Sequence, residues 1–324
     1  MLHLSDDIHN QTAAWQKAGV TLPTYDIEAM RQATKRSPTW VHFGAGNLFR
    51  AVHAPIAQKL LDSGATDRGI SVVESFDPAI IDQAYSPFDD RYLQVILKAD
   101  GSVKTSLAAS IAGAYPLGED PKPLRDLRLV FRNPSLQMVT TTITEKGYAL
   151  VDSQGRSLPW IAPEFEGGPD KAKSAIAVIT ALLLERYRAG ALPLALVSTD
   201  NFSRNGERFG QVVRRMTEEW IKRGLAEKGF GDYLRDKNKI TFPLTMIDRI
   251  TPTQKRKWVA DSRLWASPMR SPSVPGAEPP WPPMPTPRKP GIGWSRTTSL
   301  QDARLWRRQE STWPTRIQST PPTR

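Results

Sequence analysis

Residues 40–53, W-V-H-F-G-A-G-N-L-F-R-A-V-H, constrain this chain more than any other stretch, because they set a glycine turn between an apolar run and an amphipathic segment. Residues 40–43 are long enough for a buried strand, and Gly44 and Gly46 permit a tight turn and close approach of backbone to a pyrophosphate. From Leu48 onward Ala51, Val52, Ile56 and Leu60 recur at helical spacing. The turn therefore opens a helix whose N-terminal N–H groups and dipole favour an anion. The expected cofactor contacts here are Gly44, Gly46, Asn47, Phe49 and Arg50, with Arg50 beside the negative charge. Phe49 stands where G-x-G-x-x-G has its third glycine, and a two-glycine turn before a helix is also a common loop.

The next stretch of chain favours the dinucleotide reading. Residues 69–73, G-I-S-V-V, read as a second buried strand, and Glu74 closes it where a Rossmann unit carries the acidic residue that holds the adenosine ribose, with Asp77 in reserve. Strand candidates continue at 92–97, 137–144 and 194–198, alternating with helix candidates at 122–131, 172–189 and 207–223. That alternation predicts an α/β fold: a Rossmann-type, mainly parallel sheet with flanking helices over residues 36–252. Residues 1–35, with helix candidates at 12–17 and 26–34, read as a helical prelude.

The pattern stops after Pro252. Residues 253–324 hold 13 Pro and 6 of the 10 Trp but no Phe, Tyr, Asn or His, and carry +9 of the formal +11 charge. Such a composition predicts a disordered tail, and three origins fit it: an Arg- and Trp-bearing arm for nucleic acid or membrane, a Pro-rich linker with PxxP-like ligands, or coding sequence read out of frame. The abrupt change and the scattered Trp favour the last.

With no run approaching the ~18 apolar residues of a membrane helix and no signal-like start, the expectation is a cytoplasmic enzyme with no membrane partner. Zero cysteines exclude disulfides and thiolate metal sites, and no metal is expected.

Four ordered motifs carry a resemblance: V-H-F-G-A-G-N-L-F-R-A-V-H-A, T-I-T-E-K-G-Y at 142–148, L-V-S-T-D-N-F-S-R-N-G at 196–206 and F-P-L-T-M-I-D-R-I-T-P at 242–252. Together they resemble the polyol-specific long-chain dehydrogenases, the mannitol dehydrogenase family, over about residues 36–252. The resemblance implies an NAD-dependent, metal-independent hydride transfer to or from a small sugar acid or polyol, with D-mannonate/D-fructuronate preferred over mannitol/fructose. It implies two catalytic positions: Asn201, which would polarise the substrate oxygen, and Asp248, near a proton path. On local sequence alone Asn201 reads equally as an Asx turn or helix cap.

The family's proton-handling K-x4-N-x2-H segment, supplied by a helical C-terminal domain, has no match in these 324 residues. A tail in place of that domain would leave the chain with weak or absent NADH binding and no turnover. The alternative of another class is a non-catalytic nucleotide-binding fold with a basic, Trp-bearing arm for nucleic acid. Two other features read as structural: Tyr233 and Lys237 spell Y-x-x-x-K within a charged run expected to be a solvated helix face, and Glu145 and Lys146 read as loop residues flanking the cofactor cleft.

Overall fold

The structure is a computed structural model that describes residues 2, 4, 6–98, 100 and 102–247. The chain divides into two units, Met1–Val95 with Thr105–Arg270 and Ile96–Lys104 with Ser271–Arg324. The large sheet and the candidate site belong to the first, and the Pro/Trp-rich tail lies outside the described residues.

The strands are β1 (Val20–Thr21), β2 (Trp40–Phe43), β3 (Ile70–Glu74), β4 (Tyr92–Leu97), β5 (Val103–Ala108), β6 (Ile111–Pro116), β7 (Met138–Thr141), β8 (Leu194–Ser198) and β9 (Ile240–Thr241). The α-helices are α1 (Thr12–Lys17), α2 (Ile27–Arg36), α3 (Ala54–Asp62), α4 (Ala79–Ala84), α5 (Lys122–Arg132), α6 (Ala162–Gly167), α7 (Ala175–Arg188), α8 (Asn205–Lys222) and α9 (Lys228–Arg235). Six strands form one sheet in the order β6-β3-β2-β7-β8-β9, and each of its pairings is parallel. Counted along the chain this is 3-2-1-4-5-6, the doubly wound order, with its switch point between β2 and β7.

Both faces of the sheet are covered, which is why its inner strands read as continuous apolar runs. β3 is buried at every position and alternates between two cores: Val73 joins a cluster with Val41, Val139, Leu196 and residues of α5, α7 and α8, while Ile70 and Val72 join Ala45, Phe49, Ala57, Ile81 and Tyr85 on the other face. α7 is buried from Ile176 through Leu184, consistent with a helix apolar around most of its circumference.

Arg186, also fully buried, fixes the N-terminal end of the sheet. Its guanidinium donates to the carbonyls of Phe131, Asn133, Leu136, Leu192 and Pro193 at 2.7–3.2 Å, joining the end of α5 to the starts of β7 and β8. Carbonyl dipoles here take the place of a counter-ion.

Three expectations need correction. The prelude is not purely helical, because β1 pairs in parallel with β5 in a second sheet of order β1-β5-β4. The strand read at 92–97 therefore belongs to that sheet and not to the large one. Tyr233 is not on a solvated face: it is buried in α9 and its hydroxyl donates to the Leu192 carbonyl at 2.6 Å, with burial raising its pKa to about 12.

Candidate functional site

The glycine turn, Glu74, the segment after β7 and the segment after β8 all lie at the C-terminal edge of the parallel strands, the edge where doubly wound sheets bind ligands. The two glycines of the turn have different reasons to be glycine. Gly44 has φ +115°, and a Cβ there would lie 2.4 Å from Thr142 Oγ1 and 2.7 Å from the Thr142 carbonyl oxygen. Packing across the switch point explains it. Gly46 has no such φ, and a Cβ there would meet nothing within 4 Å. Nothing in the described protein demands a glycine at 46, whereas a ligand backbone brought against the turn would.

The chain is helical from residue 47, and its first turns are a π-helix, Phe49–His53, running into α3. The Arg50 N–H reaches back to the Gly46 carbonyl (3.3 Å), leaving the N–H groups of Asn47, Leu48 and Phe49 without an intrahelical acceptor, and no side chain caps them. Arg50 Nη2 donates to Asn47 Oδ1 (2.7 Å), and its guanidinium carbon sits 5.7 Å from the centre of the Tyr85 ring. Both side chains are thus tethered beside the helix start, half-buried.

The Phe49 side chain offers nothing to a ligand. It is fully buried, stacked on His42 with ring centroids 4.8 Å apart, so only its backbone N–H is available. The bulk that replaces a packing glycine is accommodated where the helix takes its π turn. His42 and His53 lie against it, 4.3 Å apart. His42 bonds Thr140 Oγ1 (2.6 Å) and Thr142 Oγ1 (3.0 Å) through its two nitrogens, whereas neither nitrogen of buried His53 has a hydrogen-bond partner. Burial lowers both pKa values, that of His53 to about 4.

Glu74 is buried and does more than the sequence suggests. Oε2 accepts the Ala45 N–H (2.7 Å), while Oε1 accepts the N–H groups of Phe76 (2.9 Å) and Asp77 (3.3 Å). One carboxylate therefore braces the glycine turn and the loop after β3. These bonds leave roughly one of its four acceptor positions for a ribose hydroxyl. Asp77, the reserve residue, contributes its backbone to that brace. The turn is held from its other side by the Tyr85 hydroxyl, which donates to the Ala45 carbonyl (2.6 Å).

Across the switch point, buried Asp200 accepts from the N–H groups of Ile143 (3.2 Å) and Thr144 (3.0 Å) and from the Tyr148 hydroxyl (2.8 Å), which also bonds Ser198 (2.9 Å) and Thr141 (2.8 Å). Burial raises the Asp200 pKa against these bonds, and burial with the Asp200 charge raises that of Tyr148, keeping its hydroxyl protonated. The clamp holds Thr144 at φ +65°, an uncommon conformation for a β-branched residue. Glu145 and Lys146 are exposed in the short 3-10 turn after it, where Glu145 pairs with Arg208.

Asn201, next to Asp200, is exposed at the end of β8. No side chain caps α8; Asn205, its first residue, is buried, and its amide donates to the Asp200 and Thr245 carbonyls (3.0 and 3.1 Å). Asp248 lies outside the described residues. Sequence reasoning missed Asp200, Tyr148 and Tyr85; the first two lie inside quoted motifs, whereas Tyr85 carries no local signal. Among the described residues no cluster of His, Cys, Asp or Glu could hold a metal ion, and no helix is long and apolar enough to cross a membrane.

Comparison with known proteins places this geometry. Residues 38–264 match the family described as the mannitol dehydrogenase Rossmann domain. The D-mannonate oxidoreductase of Thermotoga maritima is 42% identical over 251 residues, covering 78% of this chain and 46% of that protein. The mannitol 2-dehydrogenase of Cereibacter sphaeroides is 28% identical, covering 72% and 46%. Among solved structures, the ternary complex of Pseudomonas fluorescens mannitol 2-dehydrogenase with NAD and D-mannitol superposes with a TM-score of 0.61 at 25% identity, covering 75% of this chain and 48% of that one. The chain spans about half the length of the relatives it matches.

Proposed function

This chain belongs to the mannitol dehydrogenase family, and we propose that the glycine turn after β2 holds NAD for hydride exchange with a sugar acid or polyol. The observation that carries the reading is the pairing of Gly46, whose missing side chain no described protein atom requires, with three unbonded helix N–H groups at the switch point of a doubly wound sheet. Those N–H groups and Arg50 suit a pyrophosphate, and the remaining acceptor position of Glu74 suits one ribose hydroxyl. No Lys or Arg occurs between Gly69 and Asp90, so a 2′-phosphate would meet a carboxylate without a local cation; NAD is preferred over NADP.

NAD supplies the hydride acceptor and its reduced form the donor. The protein must polarise the substrate oxygen and move a proton. Asn201 is exposed on a segment anchored by Asp200 and Asn205, so its amide is free to donate to an alkoxide or carbonyl oxygen. Asp248 is the proposed proton-path residue. D-mannonate/D-fructuronate is the favoured pair, supported by the 42% identity to a D-mannonate oxidoreductase against 28% to a mannitol 2-dehydrogenase.

The 324 residues hold no K-x4-N-x2-H segment, and proton transfer by such a group is worth about 10²- to 10⁴-fold in rate. On that count the 324-residue polypeptide alone should show no detectable turnover. The test is to follow NADH absorbance with fructuronate and with fructose. A flat trace is expected, and oxidation abolished by Asn201→Ala would show that these residues complete an active site unaided.

A further inference from the structure

Among the described residues the two sheets have four edges, and three of them are blunted. β1 and β9 are two residues long, each with a proline two positions on (Pro23 and Pro243), while β6 is interrupted by a register shift against β3 and stops at Pro116. Short, interrupted or proline-ended edges are poor templates for another strand. β4 is the exception: Y-L-Q-V-I-L runs six residues without a charge, a glycine or a proline, and its one strand neighbour among the described residues is β5. The first half of β4 is anchored, with the Tyr92 hydroxyl donating to the Arg50 carbonyl (2.5 Å) and Leu93 packing with Ile8, Trp15, Val20 and Leu107. The second half is uncovered, its exposure rising from 38% at Val95 to 43% at Ile96 and 56% at Leu97. A free apolar edge on an anchored strand is preorganised to accept another strand.

We propose that β4 pairs antiparallel with β4 of a second copy of this chain, about a two-fold axis at Ile96, joining two three-stranded sheets into one of six. The occupant is a second copy because the edge is complementary to itself. Centring the pair on Ile96 sets Val95 opposite Leu97 of the second copy and Gln94 opposite Lys98, so apolar side chains meet apolar ones and no like charges face each other. A centre between Gln94 and Val95 would instead oppose Arg91 and Lys98. The uncharged strand offers no counter-charge to a nucleic acid or an acidic peptide. With only a few residues contributed by each copy, the contact belongs with weak, concentration-dependent associations. It lies on the small sheet and is independent of the NAD reading.

The chain contains no cysteine, so single cysteines can report the pairing directly. In an antiparallel pair the two Ile96 Cα atoms would lie about 4.5–5.5 Å apart, within the span of a disulfide, whereas the two Val103 positions on β5 would be three strand spacings, about 14 Å, from one another. The 324-residue Ile96→Cys variant, oxidised with copper–phenanthroline in air, should therefore give a covalent dimer on non-reducing gels, and the more exposed Val103→Cys should give none. Sedimentation of the unmodified chain over about 1–100 μM should show a monomer–dimer shift. Ile96→Lys should abolish that shift, and Ile56→Lys, at a similarly exposed apolar site on α3, should leave it intact. A chain monomeric throughout overturns the proposal, as does the absence of the Ile96 cross-link. A lower urea midpoint for Ile96→Lys without any dimer in the parent would mean that another segment of the same chain covers the edge. Equal cross-linking of the two cysteines, or self-association that survives Ile96→Lys, would mean nonspecific aggregation, and each of these results also overturns the pairing.

Discussion

Replacing His53 by Leu should remove an acid sensitivity built into the sheet–helix interface behind the glycine turn. His53 is 3% exposed, packs on His42, Phe49 and Trp40, and has no hydrogen-bond partner at either nitrogen. Burial lowers its pKa from 6.5 to about 4. Between those values the unfolded chain binds the proton and the folded chain does not, so stability falls as pH falls from about 6.5 to about 4. That lowering corresponds to about 3 kcal/mol from this residue.

His42, also shifted down, acts in the same direction. Asp90 acts oppositely: burial pushes its carboxyl up to about 6, so the folded state holds the extra proton between about 4 and 6 and gains stability as pH falls. The difference between His53→Leu and the parent isolates the histidine. Leu fills a similar volume and forfeits no hydrogen bond, so at pH 7.5 the variant should be as stable as the parent or about 1 kcal/mol more so. Urea unfolding followed by Trp fluorescence at pH 7.5, 6, 5 and 4.5 should show the advantage of the variant growing with acidity. Parallel pH profiles, or a loss above 1 kcal/mol at pH 7.5, would refute the reasoning.

Asp90 itself sits at φ +56°, which Asn tolerates; Asp90→Asn should raise the urea unfolding free energy at pH 8 by an amount of order 1 kcal/mol and have little effect at pH 4, and the reverse ordering would contradict the shifted carboxyl. Arg186→Met strips partners from five carbonyls in the N-terminal staple and should cost about 4 kcal/mol in urea unfolding, whereas a loss below 1 kcal/mol would mean that water replaces the guanidinium. Duplex DNA titrated with the full chain across 50–200 mM salt should give a shallow log–log slope, about −2 or flatter; a slope near −6 would favour the basic-arm alternative.

The large sheet is legible because its buried strands concentrate apolar residues and because backbone geometry requires a glycine at position 44 of its turn. β2 and β8 have the bounds read from sequence. β6 was not read, since I-A-G-A-Y-P is rich in small residues with poor strand preference; its place is set by pairing to β3. Within the site, glycines and acidic residues stood out by type, but their division of labour did not. Whether Glu74 braces a turn, or Asp200 clamps a segment 56 residues away, depends on contacts between distant strands that no local window contains. At Phe49 the fingerprint position says nothing of exposure: the helix turns the ring into the core and leaves only the backbone N–H at the turn. Arg186 was hidden in an apolar helix, its partners being backbone carbonyls that leave no pattern in sequence.

The most direct test of the central claim is NADH binding to the 324-residue chain and to its Gly46→Val variant, by calorimetry with NADPH in parallel. Because a Cβ at position 46 meets no described protein atom within 4 Å, the variant should keep the parent's circular dichroism and urea midpoint. The account predicts weak, saturable binding by the parent, NADH tighter than NADPH, and at least tenfold weaker binding by the folded variant, since the added side chain would occupy the space that the pyrophosphate needs. Equal NADH affinity in parent and variant, or NADPH bound more tightly, would contradict it.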